Sequence, residues 1–217
     1  MKKTAILLGA TGLTGSTLLN KLLHDRTIEK VKVFSRRTTG VSHPKLEEHI
    51  ISLFELKKHN EEFYGNVVFC CIGTTKANTP DKNKYRKIDH GIPVSAAKLC
   101  KENKIETFIV MSSMGADVES SVFYNKVKGE MERDVLSQEI PNTYILQPSL
   151  IAGKRDEKRL GERIMKGVMK VINPLLPKKY QSIHPDTIAS AMKALMKKGF
   201  DETVITSDKI KEIANVK

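Results

Sequence analysis

Apolar and polar positions along the chain switch repeatedly between a period of two and a period near 3.6, and the switching predicts the order of elements. Residues 4–8 form a short apolar run rich in strand formers. After a glycine turn, Leu18, Leu19, Leu22 and Leu23 recur at helical spacing. Lys30-Val-Lys-Val-Phe34 alternates polar with apolar and predicts a second strand, followed by a polar loop around residues 40–44. Residues 48–53 offer a third, weaker strand, and residues 61–65 the end of a short helix. Residues 66–72 are almost wholly apolar, as expected of a strand buried on both faces of a parallel sheet. Residues 81–103 predict a long helix with Ile88, Ile92, Ala96 and Leu99 on one face and a kink at Pro93. A fifth strand (107–111), a helix (122–138) carrying Val127, Met131, Val135 and Leu136, and a sixth strand (143–146) complete the pattern. Strands alternating with helices in this way predict an α/β fold built on a doubly wound parallel sheet.

Beyond Ala152 the pattern loosens. Helices are expected over 161–172 and over 186–198, the latter starting after His184-Pro185. This is too little chain for a second domain, so residues 1–217 are expected to form one domain, with 153–200 contributing a small lid on the substrate side. The longest unbroken apolar run, residues 67–72, is far short of the ~18 residues a membrane span needs, and no membrane partner is expected. The N-terminus imitates a signal peptide, but it runs into Thr11-Gly-Leu-Thr-Gly15 without a cleavage region, as a strand entering a turn would. Three cysteines, Cys70, Cys71 and Cys100, are an odd number with no C-x-x-C pair. They suggest buried packing, no metal, and a reducing cytoplasm as the simplest setting.

The glycines of Gly9-Ala-Thr-Gly12-Leu-Thr-Gly15 stand between the first strand and the first helix. There, missing side chains let the backbone approach a pyrophosphate, and the helix N-terminus offers N–H groups and a favourable dipole. A tight turn without a ligand is the competing reading. This strand-turn-helix setting is that of a Rossmann dinucleotide site. Some 20 residues further on, where an acid would bind the ribose hydroxyls of NAD, stand Ser35, Arg36 and Arg37. Two guanidiniums there suit the 2′-phosphate of NADP, although NAD is possible and a solvated basic pair is the alternative. Tyr124 and Lys128 lie four apart and share a helix face. An ammonium beside a phenol eases its ionisation, so that it can exchange a proton with a substrate oxygen. A hydroxyl of Ser112 or Ser113, at the end of the fifth strand, could steady the same oxygen.

The chain resembles the short-chain dehydrogenase/reductase superfamily in its extended or atypical branch. Within it the chain looks most like the Tat-interacting-protein group of oxidoreductase-like proteins and their small bacterial relatives. The resemblance rests on Leu8-Gly-Ala-Thr-Gly-Leu-Thr-Gly15, Phe34-Ser-Arg-Arg37, Phe69-Cys-Cys-Ile-Gly-Thr-Thr75, Ile88-Asp89, Met111-Ser-Ser-Met-Gly-Ala-Asp117 and Tyr124-Asn-Lys-Val-Lys-Gly-Glu130. It implies that Gly9, Thr11, Gly12, Leu13, Thr14 and Gly15 wrap the pyrophosphate. Ser35, Arg36 and Arg37 would meet the adenosine phosphate, and Gly73 and Thr74 would line the cofactor. Ser113, with Ser112 as the other candidate, Tyr124 and Lys128 would form the catalytic group. Two segments depart from the family pattern: Ser52 replaces an acid near the adenine, and Gln147-Pro-Ser149 replaces Arg-Pro-Gly.

Net charge is +12 and leans to the C-terminal part. It suits a phosphorylated cofactor as well as it suits nucleic acid. Only 6% of residues are aromatic and none is Trp, so a base-stacking platform is poorly supplied and nucleic acid is not the expected partner. Two function classes remain: an NADP-dependent oxidoreductase or epimerase-like enzyme acting on a small carbonyl, alcohol or nucleotide sugar, and a cofactor-binding regulator or scaffold without turnover.

Overall fold

The computed structural model describes residues 2–152, 177 and 179–215. Among these, seven strands form one sheet: β1 (Lys3–Leu8), β2 (Ile28–Ser35), β3 (Leu46–Ile50), β4 (Val67–Cys70), β5 (Thr107–Met111), β6 (Asn142–Gln147) and β7 (Val204–Thr206). Their spatial order is β3-β2-β1-β4-β5-β6-β7, and every neighbouring pair is parallel. The helices are α1 (Leu13–Leu23), α2 (Lys82–Arg86), α3 (Ile92–Glu102), α4 (Phe123–Leu136), α5 (Pro185–Lys198) and α6 (Ser207–Asn215).

Strand β1 shows why both faces need cover. Its alternate residues Ala5 and Leu7 pack with Leu18 and Leu22 of α1 and with Ile188, Met192 and Leu195 of α5. Ile6 and Leu8 belong to the opposite core, with Phe34, Ala96, Leu99, Met131 and Val135. The expected doubly wound, Rossmann-like single domain is what the chain forms. Sequence order reverses between β1 and β4, so the loops leaving their C-terminal ends diverge to opposite sides and leave a crevice, the place where such sheets take ligands.

Several elements differ from expectation. The third strand begins and ends earlier, at Leu46–Ile50, because its pairing with Val31–Ser35 of β2 runs out there. Leu53 and Leu56, spaced for a 3-10 helix, turn inward over Leu53–His59, and residues 61–65 carry turns rather than a helix end. The long helix is interrupted just before Pro93, where a π turn over Lys87–Gly91 joins α2 to α3. Pro93 has no N–H to give the carbonyl four residues back, that of Asp89, and the widened turn sits where that bond is missing. Strand β7 and helix α6 lie past the last element the pattern predicts.

Of the segment expected to form the lid, residues 177 and 179–200 are described. Residues 153–176 and 178, including the helix expected over 161–172, lie outside the described residues. Helix α5 is a layer of the core. His184 Nδ1 caps its start by accepting the Asp186 N–H at 3.3 Å. Lys21 pairs with Asp186 at 2.8 Å, and Lys193 and Lys197 reach the buried Asp25 at 3.2 and 2.6 Å.

Candidate functional site

The glycine turn leaves β1 at one side of the crevice. Gly9 has φ +84°, and a Cβ there would meet the Cys71 carbonyl oxygen at 2.6 Å, so the loops after β1 and β4 touch at the point where strand order reverses. A Cβ on Gly15 would stand 2.0 Å from the Gly9 carbonyl oxygen, which also accepts the Gly12 N–H at 3.0 Å. Gly12 begins α1 in extended conformation with no side chain capping the helix, and the first turn holds no acid. The helix-start N–H groups of Leu13, Thr14 and Gly15 are therefore offered without a competing carboxylate, which fits a pyrophosphate. The residues present fit a dinucleotide.

Ser35 is buried at the end of β2, and its hydroxyl donates to the Arg37 carbonyl at 2.6 Å, folding the chain over at that point. Arg36 and Arg37 are exposed, and among the described residues no acid pairs with either. A cavity of about 460 Å³ lies between α1 and this loop, lined in part by Ala10, Thr11, Ser16, Asn20, Arg37 and Thr38. Arg37 lines it and Arg36 does not. Glu48 of β3 fixes the loop by accepting the Thr38 hydroxyl at 2.9 Å and the Thr39 N–H at 2.7 Å.

On the far side of the crevice, α4 presents Tyr124, Lys128 and Glu132 at successive four-residue steps. Tyr124 is 38% exposed, whereas Lys128 is buried. The Lys128 ammonium donates to the Met111 carbonyl at 3.4 Å, at the very end of β5, and lies 3.2 Å from Asp89 Oδ1. Ser112 and Ser113 part company here. Ser112 is buried and its hydroxyl is engaged by the Glu132 carboxylate; Ser113 is half-buried, and its hydroxyl donates to its neighbour's carbonyl at 3.3 Å. Gln147 donates to both Glu132 oxygens at 3.0 Å. Burial pushes the Glu132 carboxyl up, against the pull of Ser112, Gln147 and Lys128. Gly73 is exposed in the loop after β4, where Thr74 donates its N–H to Asp89 Oδ2 at 2.8 Å and its carbonyl accepts the Tyr85 hydroxyl at 3.1 Å.

Two acids complete the site: Glu132 belongs to no motif read from the sequence, and Asp89 enters there only within the Ile88-Asp89 resemblance, without a role. Their signal was an acid facing inward: Glu132 continues the step of Tyr124 and Lys128, and Asp89 falls beside the apolar position Ile88. Burial pushes the Cys70 thiol up to about 11 and that of Cys100 up to about 12, with Cys71 raised further still, which disfavours the thiolate at all three.

A parallel sheet with a glycine turn that fits pyrophosphate at its switch point defines a dinucleotide-binding protein of the Rossmann class. The chain belongs to the family described as NAD(P)H-binding, whose profile matches residues 9–198. Among curated proteins it is similar to the mitochondrial protein FMP52-1 of Scheffersomyces stipitis, with 34% identity over 180 residues covering 78% of this chain and 77% of that one. It is also similar to mitochondrial FMP52 of Candida albicans, 33% identical over 167 residues covering 74% of this chain and 73% of the relative. These names correct the cytoplasmic expectation, since they point to mitochondria instead. The fold matches the Bordetella bronchiseptica enzyme WbmG in complex with NAD, with a TM-score of 0.73 at 12% identity over 99% of this chain and 77% of that one. It also matches a UDP-N-acetylglucosamine 4-epimerase from Methanobrevibacter ruminantium, with a TM-score of 0.72 at 18% identity over 98% and 81%. An Agrobacterium tumefaciens short-chain dehydrogenase/reductase superfamily protein with bound NAD scores 0.71 at 13% identity over 93% and 76%.

Proposed function

We propose that this protein is an NADP(H)-dependent oxidoreductase of the atypical short-chain dehydrogenase type, acting on a small carbonyl or alcohol compound or a nucleotide sugar. One observation carries the reading. An exposed Tyr124 stands one turn before a buried Lys128 whose ammonium reaches the end of β5, two residues from the half-open hydroxyl of Ser113.

Gly9, Thr11, Gly12, Leu13, Thr14 and Gly15 hold the pyrophosphate, and Gly73 and Thr74 line the cofactor beyond β4. Arg37, at the cavity beside the glycine turn, meets the 2′-phosphate with Ser35 shaping its loop, and Arg36 adds charge nearby. The bound cofactor supplies or accepts the hydride. Tyr124 gives the substrate oxygen its proton or takes it away, Ser113 donates a hydrogen bond to that oxygen as charge develops on it, and Lys128 holds the ribose and favours the phenolate. Ser112 takes no direct part, because Glu132 occupies its hydroxyl.

The test is NADPH oxidation with a panel of carbonyl compounds and nucleotide sugars. Turnover with at least one class supports the reading. Binding of NADPH without turnover of any member would mark a cofactor-binding regulator instead.

A further inference from the structure

The Lys128 ammonium, buried to 3% exposure, needs a counter-charge, and the fold provides one from an unexpected place. Asp89 is 1% exposed and sits in the π turn between α2 and α3. A π turn inserts a residue into the helical register and re-aims the side chains beside it, a device concentrated at functional positions. Here it directs a carboxylate inward beneath the loop after β4. Oδ2 accepts the Thr74 N–H at 2.8 Å, whereas Oδ1 has no well-formed hydrogen bond and faces the Lys128 ammonium at 3.2 Å. A Cβ on Gly73 would lie 3.5 Å from that same Oδ1. One carboxylate thus touches both the loop assigned to the cofactor and the lysine assigned to the catalytic helix.

We propose that Asp89 is the positioning residue for Lys128: it ties the ammonium to the Thr74 backbone, so that the cofactor loop and the Tyr124 face of α4 are held in one arrangement. The proposal rests on the oxidoreductase reading for the role of Lys128 in holding the cofactor. Glu132 cannot serve in place of Asp89. Its oxygens are taken by Ser112 and Gln147, and it lies one turn further along α4, away from the cofactor loop.

A double-mutant cycle read as NADPH dissociation constants by fluorescence titration tests this without a substrate. Lys128→Met should weaken NADPH about tenfold, a loss of about 1.4 kcal/mol. Asp89→Asn should weaken it by the same order, because the amide still accepts from Thr74 but presents N–H groups to the ammonium. The Asp89→Asn/Lys128→Met protein should bind no more weakly than Lys128→Met alone, and urea denaturation without nucleotide should find it more stable than either single variant. If Lys128→Met weakens NADPH while Asp89→Asn leaves it unchanged, or if the two losses multiply, the Asp89 proposal is overturned and the oxidoreductase reading stands. Parent-like affinity in Lys128→Met refutes the cofactor role of Lys128 and the proposal with it.

If the single variants do not fold, Lys128→Arg keeps the charge pair with a bulkier head group. Hydrogen exchange at the Thr74 amide should then quicken at least threefold, and an unchanged rate overturns the tie between Lys128 and the loop.

Discussion

Gly15→Ala sets two effects of opposite sign against each other. Gly15 lies in the first turn of α1, where alanine would ordinarily stabilise the helix by about 1 kcal/mol. The added Cβ would stand 2.0 Å from the Gly9 oxygen, 2.7 Å from the Gly9 carbonyl carbon and 3.2 Å from Ala10 Cα. Carbon to carbonyl oxygen contacts settle near 3.3 Å or beyond, about 1 Å further out. The turn cannot retreat freely. The Gly9 oxygen accepts the Gly12 N–H, and Gly9 itself packs on the Cys71 carbonyl. Overpacking of this kind costs about 1–3 kcal/mol, and two backbone surfaces with no side chain to yield belong at the upper end, so the net change is destabilising by about 1–2 kcal/mol. The larger loss is in binding. Opening the turn moves the helix-start N–H groups off the pyrophosphate, and losing two charge-assisted bonds of about 1.5 kcal/mol each weakens NADPH about a hundredfold. Urea denaturation and an NADPH fluorescence titration measure the two quantities separately. A Gly15→Ala protein of raised stability and parental affinity would refute the reasoning.

Three other variants test separate parts of the account. Arg37→Ala should weaken NADPH about tenfold and leave NADH nearly unchanged, with a smaller effect for Arg36→Ala, since Arg37 lines the cavity and solvent screens both; calorimetry with both nucleotides checks the order. Tyr124→Phe should abolish turnover while NADPH affinity stays close to parental, and an active variant would remove the proton-transfer assignment. Burial works against the charge of Asp25, but Lys197, Thr27 and Lys193 outweigh it and hold the carboxyl well below the usual carboxylate range. A depressed folded value stabilises the fold above the unfolded value of about 3.9 and stops doing so as pH falls through the folded one. Asp25→Asn should therefore cost about 3 kcal/mol at pH 7 and progressively less below about pH 4 in urea denaturation, and a pH-independent penalty would contradict this.

How much of the molecule was legible depended on whether the cause was local. Strands β1, β4, β5 and β6 follow from apolar runs, β2 from polar and apolar alternation, and the glycine turn from a spacing that a close backbone approach requires. β3 is an edge strand whose limits are set by pairing with β2, which no window of its own residues reveals. β7 has three residues, too few to show a period, and is held by pairing with Ile145–Gln147. In the site, two adjacent arginines look alike in sequence. Ser35 turns the chain so that Arg37 lines the cavity beside the glycine turn, which order along the strand does not reveal. Ser112 and Ser113 are adjacent hydroxyls, and the bond from Ser112 to Glu132 that distinguishes them is made across 20 residues of chain. Asp89 is named by the Ile88-Asp89 resemblance, but its inward direction depends on the π turn before Pro93, a feature that a regular helical period cannot represent.

On the proposed function, the crevice between the β1 and β4 ends holds a nicotinamide dinucleotide and prefers the phosphorylated form. Calorimetric titration of the parent protein with NADPH and with NADH, at matched ionic strength, measures this directly. The account predicts binding of both, with NADPH about tenfold the tighter for one net charge-assisted contact. Equal affinities would contradict the preference, and no binding of either to folded protein would contradict the site.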